Sequence, residues 1–256
     1  LTKWLIFGSI DFDFISESLL PELCPQADAP LRVGEMKYDV IVVPGCETLR
    51  SSTLERLENF RADGGRVIFL GEAPTLENAQ PSDRGARLFA SSENIPYQRA
   101  SLLTALDSER SVCIRDEDGY LSDGLIYQLR EDTDSLWLFV AHGVEPYDCN
   151  ITNRDDIKIT VKGEYSPVIY DTLSGELKPA QFDYLNGDTV ISARLFDFDS
   201  LLLRLYNGRS ERQYAEPKKL EDKEILVPYE TEYELDEPNV MLLDMARFAL
   251  DGDELS

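Results

Sequence analysis

"DVIVVPGCETLRSSTLERLENFRADGGRVIFLG", residues 39–71, decides the fold of the first half of this chain. Its opening, Asp39–Gly45, is a continuous β-branched run, the pattern of a strand buried on both faces of a parallel sheet. Ser51–Gly65 reads as a helix with both ends marked. Ser52 and Glu55 have capping-box spacing, Leu54, Leu57 and Phe60 share one face, and Gly64-Gly65 supplies a left-handed stop. Arg66–Gly71, "RVIFLG", is a second buried strand. Strand, helix, strand in that order predicts a right-handed βαβ crossover and hence a parallel sheet.

Around this unit, "TKWLIFG" (Thr2–Gly8) reads as the close of a helix, and "DFDFI" (Asp11–Ile15) alternates as a strand does. Ser82–Ile95 and Tyr97–Ser108 read as helices that complete the α/β part. From Ser111 the pattern changes to short alternating runs such as "LIYQLRED", "LWLFVAHG", "IKITVKGE" and "SLLLRLYNG". They are separated by Ser-Gly, Asn-Gly and Lys-Gly turns, the signature of an antiparallel β-sandwich. The expected organisation is therefore an α/β domain over 1–109 followed by an all-β domain over 110–256. Within the second, 209–223 is a charged loop or linker, and 224–256 holds strands that return to the sandwich or lead into a further module.

Composition narrows the function classes. The 256 residues carry 49 Asp and Glu against 25 Lys and Arg, a net charge of −24. That balance argues against nucleic acid and against anionic membrane surfaces, both of which need Lys and Arg. No apolar run reaches the length of a membrane span. Cys24, Cys46, Cys113 and Cys149 lie far apart with no CxxC pair, so buried free thiols are expected rather than a zinc site or a disulfide framework. The start at Leu1 and the stop soon after an apolar stretch read as a piece excised from a longer protein. Its compartment stays open, cytoplasmic or secreted.

Several residues invite a chemical reading. Cys46 sits where a strand meets a turn, either as a nucleophile or as a small residue in a tight corner. Glu47 directly follows it and opposes a thiolate, and the one histidine, His142, falls in the sandwich half. Glu72 ends the second strand. Ligand sites in α/β sheets lie beyond the carboxyl ends of the strands, so Cys46, Glu47 and Glu72 form the candidate pocket. The plain alternative for Glu72 is a carboxylate that caps a helix or loop. The two "DFD" triplets, Asp11–Asp13 and Asp197–Asp199, could hold calcium or serve glycoside cleavage, against the commoner meaning of a polar face opposite a buried Phe. "RDEDGYLSDG" (Arg115–Gly124) has the acidic density of a calcium loop but reads as a hairpin turn. "NIT" (Asn150–Thr152) is a glycosylation sequon only in a eukaryotic secretory setting. With no Gly-rich phosphate loop, GxSxG elbow or HExxH motif, no cofactor and no metal are expected.

"IDFDFISESLL…PLRVGEMKYDVIVVPGCETLRSSTLERLENFRADGGRVIFLGEAP" resembles the glutamine-amidotransferase-like, flavodoxin-like α/β domain of bacterial glycoside hydrolases of the α-L-rhamnosidase type. "DGLIYQLREDTDSLWLFVAHGVEP" and "SPVIYDTLSGELKP" resemble the β-sandwich that follows it there, and "YELDEPNVMLLDMARFALDG" the lead-in to a jelly-roll module. The amidotransferase nucleophile stands in a Gly-x-Cys-x-Gly elbow after the next strand. Here that turn is "LGEAP", with Glu72 in the nucleophile's place and no matching histidine and glutamate later. The resemblance implies an amidotransferase-like fold without amidotransferase chemistry, in a non-catalytic accessory region of a multidomain glycoside hydrolase acting on polysaccharide. The implied partner is a catalytic barrel upstream in the same chain. Two other readings stand beside it. One is a carbohydrate-binding module using aromatics such as Trp137, for which a core position is the alternative. The other is a cysteine hydrolase at Cys46.

Overall fold

A computed structural model describes residues 1–148 and 152–210, together with Glu234. Most of the charged 209–223 stretch, the expected strands of 224–256, Cys149 and the sequon residue Asn150 lie outside the described residues. Contacts divide the chain into Leu1–Ala215 and Glu216–Ser256, and all the sheets below belong to the first unit. It is mostly β, with both parallel and antiparallel sheets.

The chain opens with α1 (Thr2–Ile6), α2 (Leu20–Leu23) and a small hairpin of β1 (Leu31–Val33) and β2 (Met36–Tyr38). There follow β3 (Val40–Val43), β4 (Thr48–Leu49), α3 (Ser51–Ala62) and β5 (Arg66–Leu70). A hairpin of β6 (Leu76–Glu77) and β7 (Gln80–Pro81), then α4 (Arg84–Ala90), β8 (Glu93–Ile95) and α5 (Arg99–Ala105), complete this part. β3, β5 and β8 form a parallel sheet in that order. The central β5 is apolar from Val67 to Leu70 because both its faces are covered there. Val67 and Phe69 pack with Leu54, Leu57 and Phe60 of α3 and Leu88 of α4. Ile68 and Leu70 pack on the other side with Leu5 of α1 and Leu102 of α5. Burying side chains of this size contributes about 1.5–3 kcal/mol each.

Three local expectations are corrected. Ser52 and Glu55 form no capping box: α3 starts at Ser51, so Ser52 is already inside the helix, and no side chain of the N-cap residue Arg50 takes part. Instead the Arg50 amide donates to Glu17 Oε2 (2.8 Å) and the Ser51 amide to Asn78 Oδ1 (3.1 Å). The far end is as expected. Gly64 has φ +92°, and Gly65 N–H bonds Phe60 C=O at 2.8 Å while Gly64 N–H bonds Arg61 C=O at 3.1 Å, the two bonds of a Schellman motif. Ser82–Ile95 is not one helix. α4 ends at Ala90, and Glu93–Ile95 becomes the third parallel strand, stopped by Pro96. Asp11–Ile15 is not a strand, because no strand lies beside it to pair with. Phe12 stacks edge-on against Phe14 at 5.2 Å, and Asp13 accepts the Tyr38 hydroxyl.

The second half is built from β9 (Val112–Asp116), β10 (Leu125–Glu131), β11 (Ser135–His142), β12 (Arg154–Val161) and β13 (Tyr165–Tyr170). It ends with β14 (Leu177–Pro179), β15 (Gln181–Leu185), β16 (Asp188–Phe196) and β17 (Ser200–Asn207). Two antiparallel sheets, β10-β11-β17-β13-β14 and β15-β16-β12-β9, share one core. Leu138, Val140, Leu203 and Leu205 meet Ile114, Ile157, Ile159 and Ile191 across it. Alternate residues enter this core, which is why these strands alternate where β5 does not. Asn186 and Gly187, at φ +54° and +89°, make the two-residue turn of the β15–β16 hairpin. Asp116 closes the Arg115–Gly124 turn by accepting the Tyr120 amide at 2.8 Å. Asp197–Asp199 is a correction too: it is the β16–β17 turn. Phe198 is exposed at φ +65°, Asp197 accepts the Asn153 amide at 2.7 Å and Asp199 the Phe196 amide at 2.9 Å.

One buried arginine stands at the junction of the two sheet systems and is anchored in the first. Arg110 is only 5% exposed. It donates to Gly8 C=O (2.8 Å) and Leu103 C=O (3.2 Å) and pairs with Asp107. Ile114 N–H reaches Ser9 Oγ at 3.4 Å close by.

Candidate functional site

The carboxyl edge of the parallel sheet collects the residues that the sequence singles out. β3 ends at Val43 and turns through Pro44-Gly45. A Cβ at Gly45 would stand 3.2 Å from Leu70 C=O and 3.6 Å from the Tyr97 ring, so close approach of neighbouring chain selects glycine here. β5 ends at Leu70, and Gly71 follows with φ +85°, its amide bonded to Ile95 C=O at 2.9 Å. The segments after the two strands are tied together, since Glu47 C=O accepts both Thr75 and Leu76 amides at 3.0 Å. Cys46 and Glu72 thus sit at adjacent strand ends.

Their side chains are not gathered into one functional group. Glu47 and Glu72 are exposed, and among the described residues neither carboxylate makes a hydrogen bond or ion pair. Cys46 is half-buried against the α3 side of the sheet. Its thiol is pushed up, first by burial and then by Glu17. Glu47, the neighbour in sequence, is not the cause; the carboxylate that matters arrives from 29 positions upstream. A thiol held protonated is a weak nucleophile. His142, at the end of β11, has Nδ1 3.2 Å from Asp199 C=O and Nε2 3.2 Å from Asp155 Oδ2, so both ring nitrogens are engaged within the sandwich.

Beside Cys46 lies a shallow hollow of about 460 Å³ lined by Glu17, Thr48, Leu49, Arg50, Asn78 and Ala79. It opens at the N-terminus of α3, where free amides would attract an anion. Here the protein fills that role itself. Glu17 and Asn78 take the Arg50 and Ser51 amides, Asn78 Nδ2 donates to Ser51 Oγ at 3.1 Å, and Thr48 Oγ1 accepts the Ala79 amide at 3.0 Å. Holding Asn78 and Ala79 at φ +51° and +60° sets the β6–β7 turn that delivers this cap.

One aromatic that the sequence reading passed over shapes the same edge. Tyr97 follows β8, lies over Gly45 and Gly71, and packs against Trp4 at 5.4 Å between ring centres. At the other end of β3, just before its first residue, burial and then the bond to Asp13 push the Tyr38 phenol up to about 12. The signal for Tyr97 was the glycine at each strand end, which makes room for a ring.

No protein-family model matches the sequence, and no curated protein matches it. Solved structures do share its fold. A rhamnosidase from Novosphingobium sp. PP1Y matches 81% of this chain at TM-score 0.59 and 15% identity, the match covering 21% of that chain. α-L-Fucosidase isoenzyme 2 from Paenibacillus thiaminolyticus matches 81% at TM-score 0.51 and 12% identity, over 44% of its own length. Gan42B, a GH42 β-galactosidase from G. stearothermophilus, matches 80% at TM-score 0.50 and 9% identity, over 35% of its length. At these identities the likeness is one of fold. The chain spans less than half the length of each of these three structures.

Proposed function

We propose that this chain is a non-catalytic accessory region of a multidomain glycoside-hydrolase-type protein engaged in polysaccharide degradation, with its catalytic barrel upstream in the same polypeptide. The part up to residue 109 is an amidotransferase-like domain without the catalytic triad, and the part from 110 is a β-sandwich domain. The observation that carries this reading is the extent of the fold match. Coverage of 81% is more than either sheet system alone can supply, so the α/β part and the sandwich recur together, within a rhamnosidase structure about five times as long as the match. The chemistry of the sheet edge supports a supporting role. Cys46 is held as a thiol, His142 is committed to Asp199 and Asp155, and Glu72 stands exposed at the second strand end.

The test is an assay of the purified chain on a panel of aryl glycosides. The expected result is no release of aryl alcohol above buffer. Turnover that Glu72→Ala abolishes would overturn the proposal.

A further inference from the structure

The outer face of the five-stranded sheet carries a cluster that the sandwich core does not use. Leu136, Leu138 and Val140 of β11, and Leu201, Leu203 and Leu205 of β17, enter the core. Their alternates therefore face outward: Trp137 and Phe139 on β11, and Leu202, Arg204 and Tyr206 on β17. The register sets Arg130, Trp137, Arg204, Val168 and Pro179 in one row across all five strands. Arg204 is the hub. Its guanidinium lies 5.1 Å from the Trp137 ring centre and 4.8 Å from that of Tyr206. Nε donates to Ser135 Oγ at 3.0 Å and a terminal nitrogen to Asp134 Oδ1 at 3.2 Å. Trp137 also meets Tyr170 edge-on at 4.8 Å and donates from Nε1 to Asp132 Oδ2 at 3.4 Å. The Tyr170 and Tyr206 hydroxyls stand 3.3 Å apart. Phe139 (40%) and Leu177 (61%) extend the apolar surface, well exposed.

We propose that this face binds a neutral glycan chain, the sugar C–H faces resting on the Trp137, Tyr206 and Phe139 rings. Charge selects the occupant. Arg204 pairs with Asp132 and Asp134, and with Arg130 in the same row the patch counts two cations and two carboxylates, locally neutral on a chain of net charge −24. A polyanion is repelled by the whole molecule, and a cationic peptide meets Arg204 at the centre of the cluster. A drug-sized ligand seeks an enclosed cleft, whereas this is an open sheet face suited to an extended chain. A glycan supplies what the face can use: apolar faces for the rings, and hydroxyls for the Arg204, tyrosine and aspartate groups among them. The cation and carboxylates also hold the rings in place before binding, which lowers the ordering cost. The site needs no catalytic domain, so it stands or falls apart from the accessory role argued above.

Affinity electrophoresis tests it, with the whole chain run through gels containing soluble starch, galactomannan or xyloglucan. At least one polysaccharide should retard the chain. Trp137→Ala should weaken that association about tenfold, the scale of one lost aromatic contact. Tyr206→Phe, which removes only a hydroxyl, should weaken it less, and Cys46→Ser not at all. Circular dichroism checks that each variant is folded, and Tyr206→Phe decides the matter if Trp137→Ala is not. No retardation by any of the three polysaccharides overturns the proposal. So does retardation unchanged in folded Trp137→Ala, or a dimer by sedimentation that Trp137→Ala dissociates and polysaccharide leaves intact.

Discussion

At Cys46 two neighbours compete to set the chemistry, and the distant one prevails. Glu47 follows it in sequence, but burial and Glu17 are what raise the thiol. Alkylation of Cys46, followed by peptide mass, should run slower than for a free model thiol at neutral pH. The rate should climb only at a pH above the ordinary cysteine range; labelling faster than the model thiol would contradict this. Tyr38, just before β3 begins, is a second shifted group. Its phenol is raised to about 12, first by burial and next by the Asp13 bond. The stability tied to it is therefore present below the ordinary phenol pKa of about 10 and is lost as pH rises through about 12. Asp13→Asn should return part of the shift, read by nuclear magnetic resonance of the labelled tyrosine ring. At this scale the sequence showed which residues would share a sheet edge, because Val43, Gly45 and Gly71 mark the strand ends. It did not show Glu17 beside Cys46, a contact made by folding and by no local pattern.

The elements most legible in the sequence are those whose signal is repeated within them. β3, α3 and β5 each carry it several times over, in "VIVV", in Leu54, Leu57 and Phe60, and in "RVIFL". β8 carries three residues between a helix and Pro96, too few to show a period, and its place is decided by the edge of β5. The α3 cap was hidden for a similar reason. Ser52 satisfied the local rule, yet the amides are held by Glu17 and Asn78, 27 residues or more away along the chain. Asn78→Ala should therefore destabilise the fold by about 1 kcal/mol, whereas Ser52→Ala should change it little, both read by urea denaturation. Gly64→Ala should cost about 1 kcal/mol through its φ of +92° alone, since no atom lies within 4 Å of the added Cβ. Trp137 shows the same limit in the sandwich. The sequence read Trp137, set between Leu136 and Leu138, as at least as suited to the core; the pleat turns it to the outer face, where Arg204 and Tyr170 reach it only through the order of the strands.

Across the whole molecule, the change from β-branched runs to alternating ones near Ser111 reflects two modes of burial: β5 is covered on both faces, whereas β11 and β17 each turn one face to a shared core. Arg110 stands where the two systems meet. Arg110→Ala would leave the Gly8 and Leu103 carbonyls buried without their donor and should cost about 3 kcal/mol, measured by chemical denaturation. A loss below about 0.5 kcal/mol, the level of an ordinary surface change, would mean the arginine does not hold this junction. The strand ends of this fold lie where active sites form, yet the role proposed for the chain is to accompany catalysis without performing it. The most direct measurement is the rate per mole of chain on aryl glycosides and on glutamine, comparing wild type with a Cys46→Ala, Glu72→Ala double variant. Both proteins should match buffer on every substrate. Turnover by wild type that the double variant loses would contradict it.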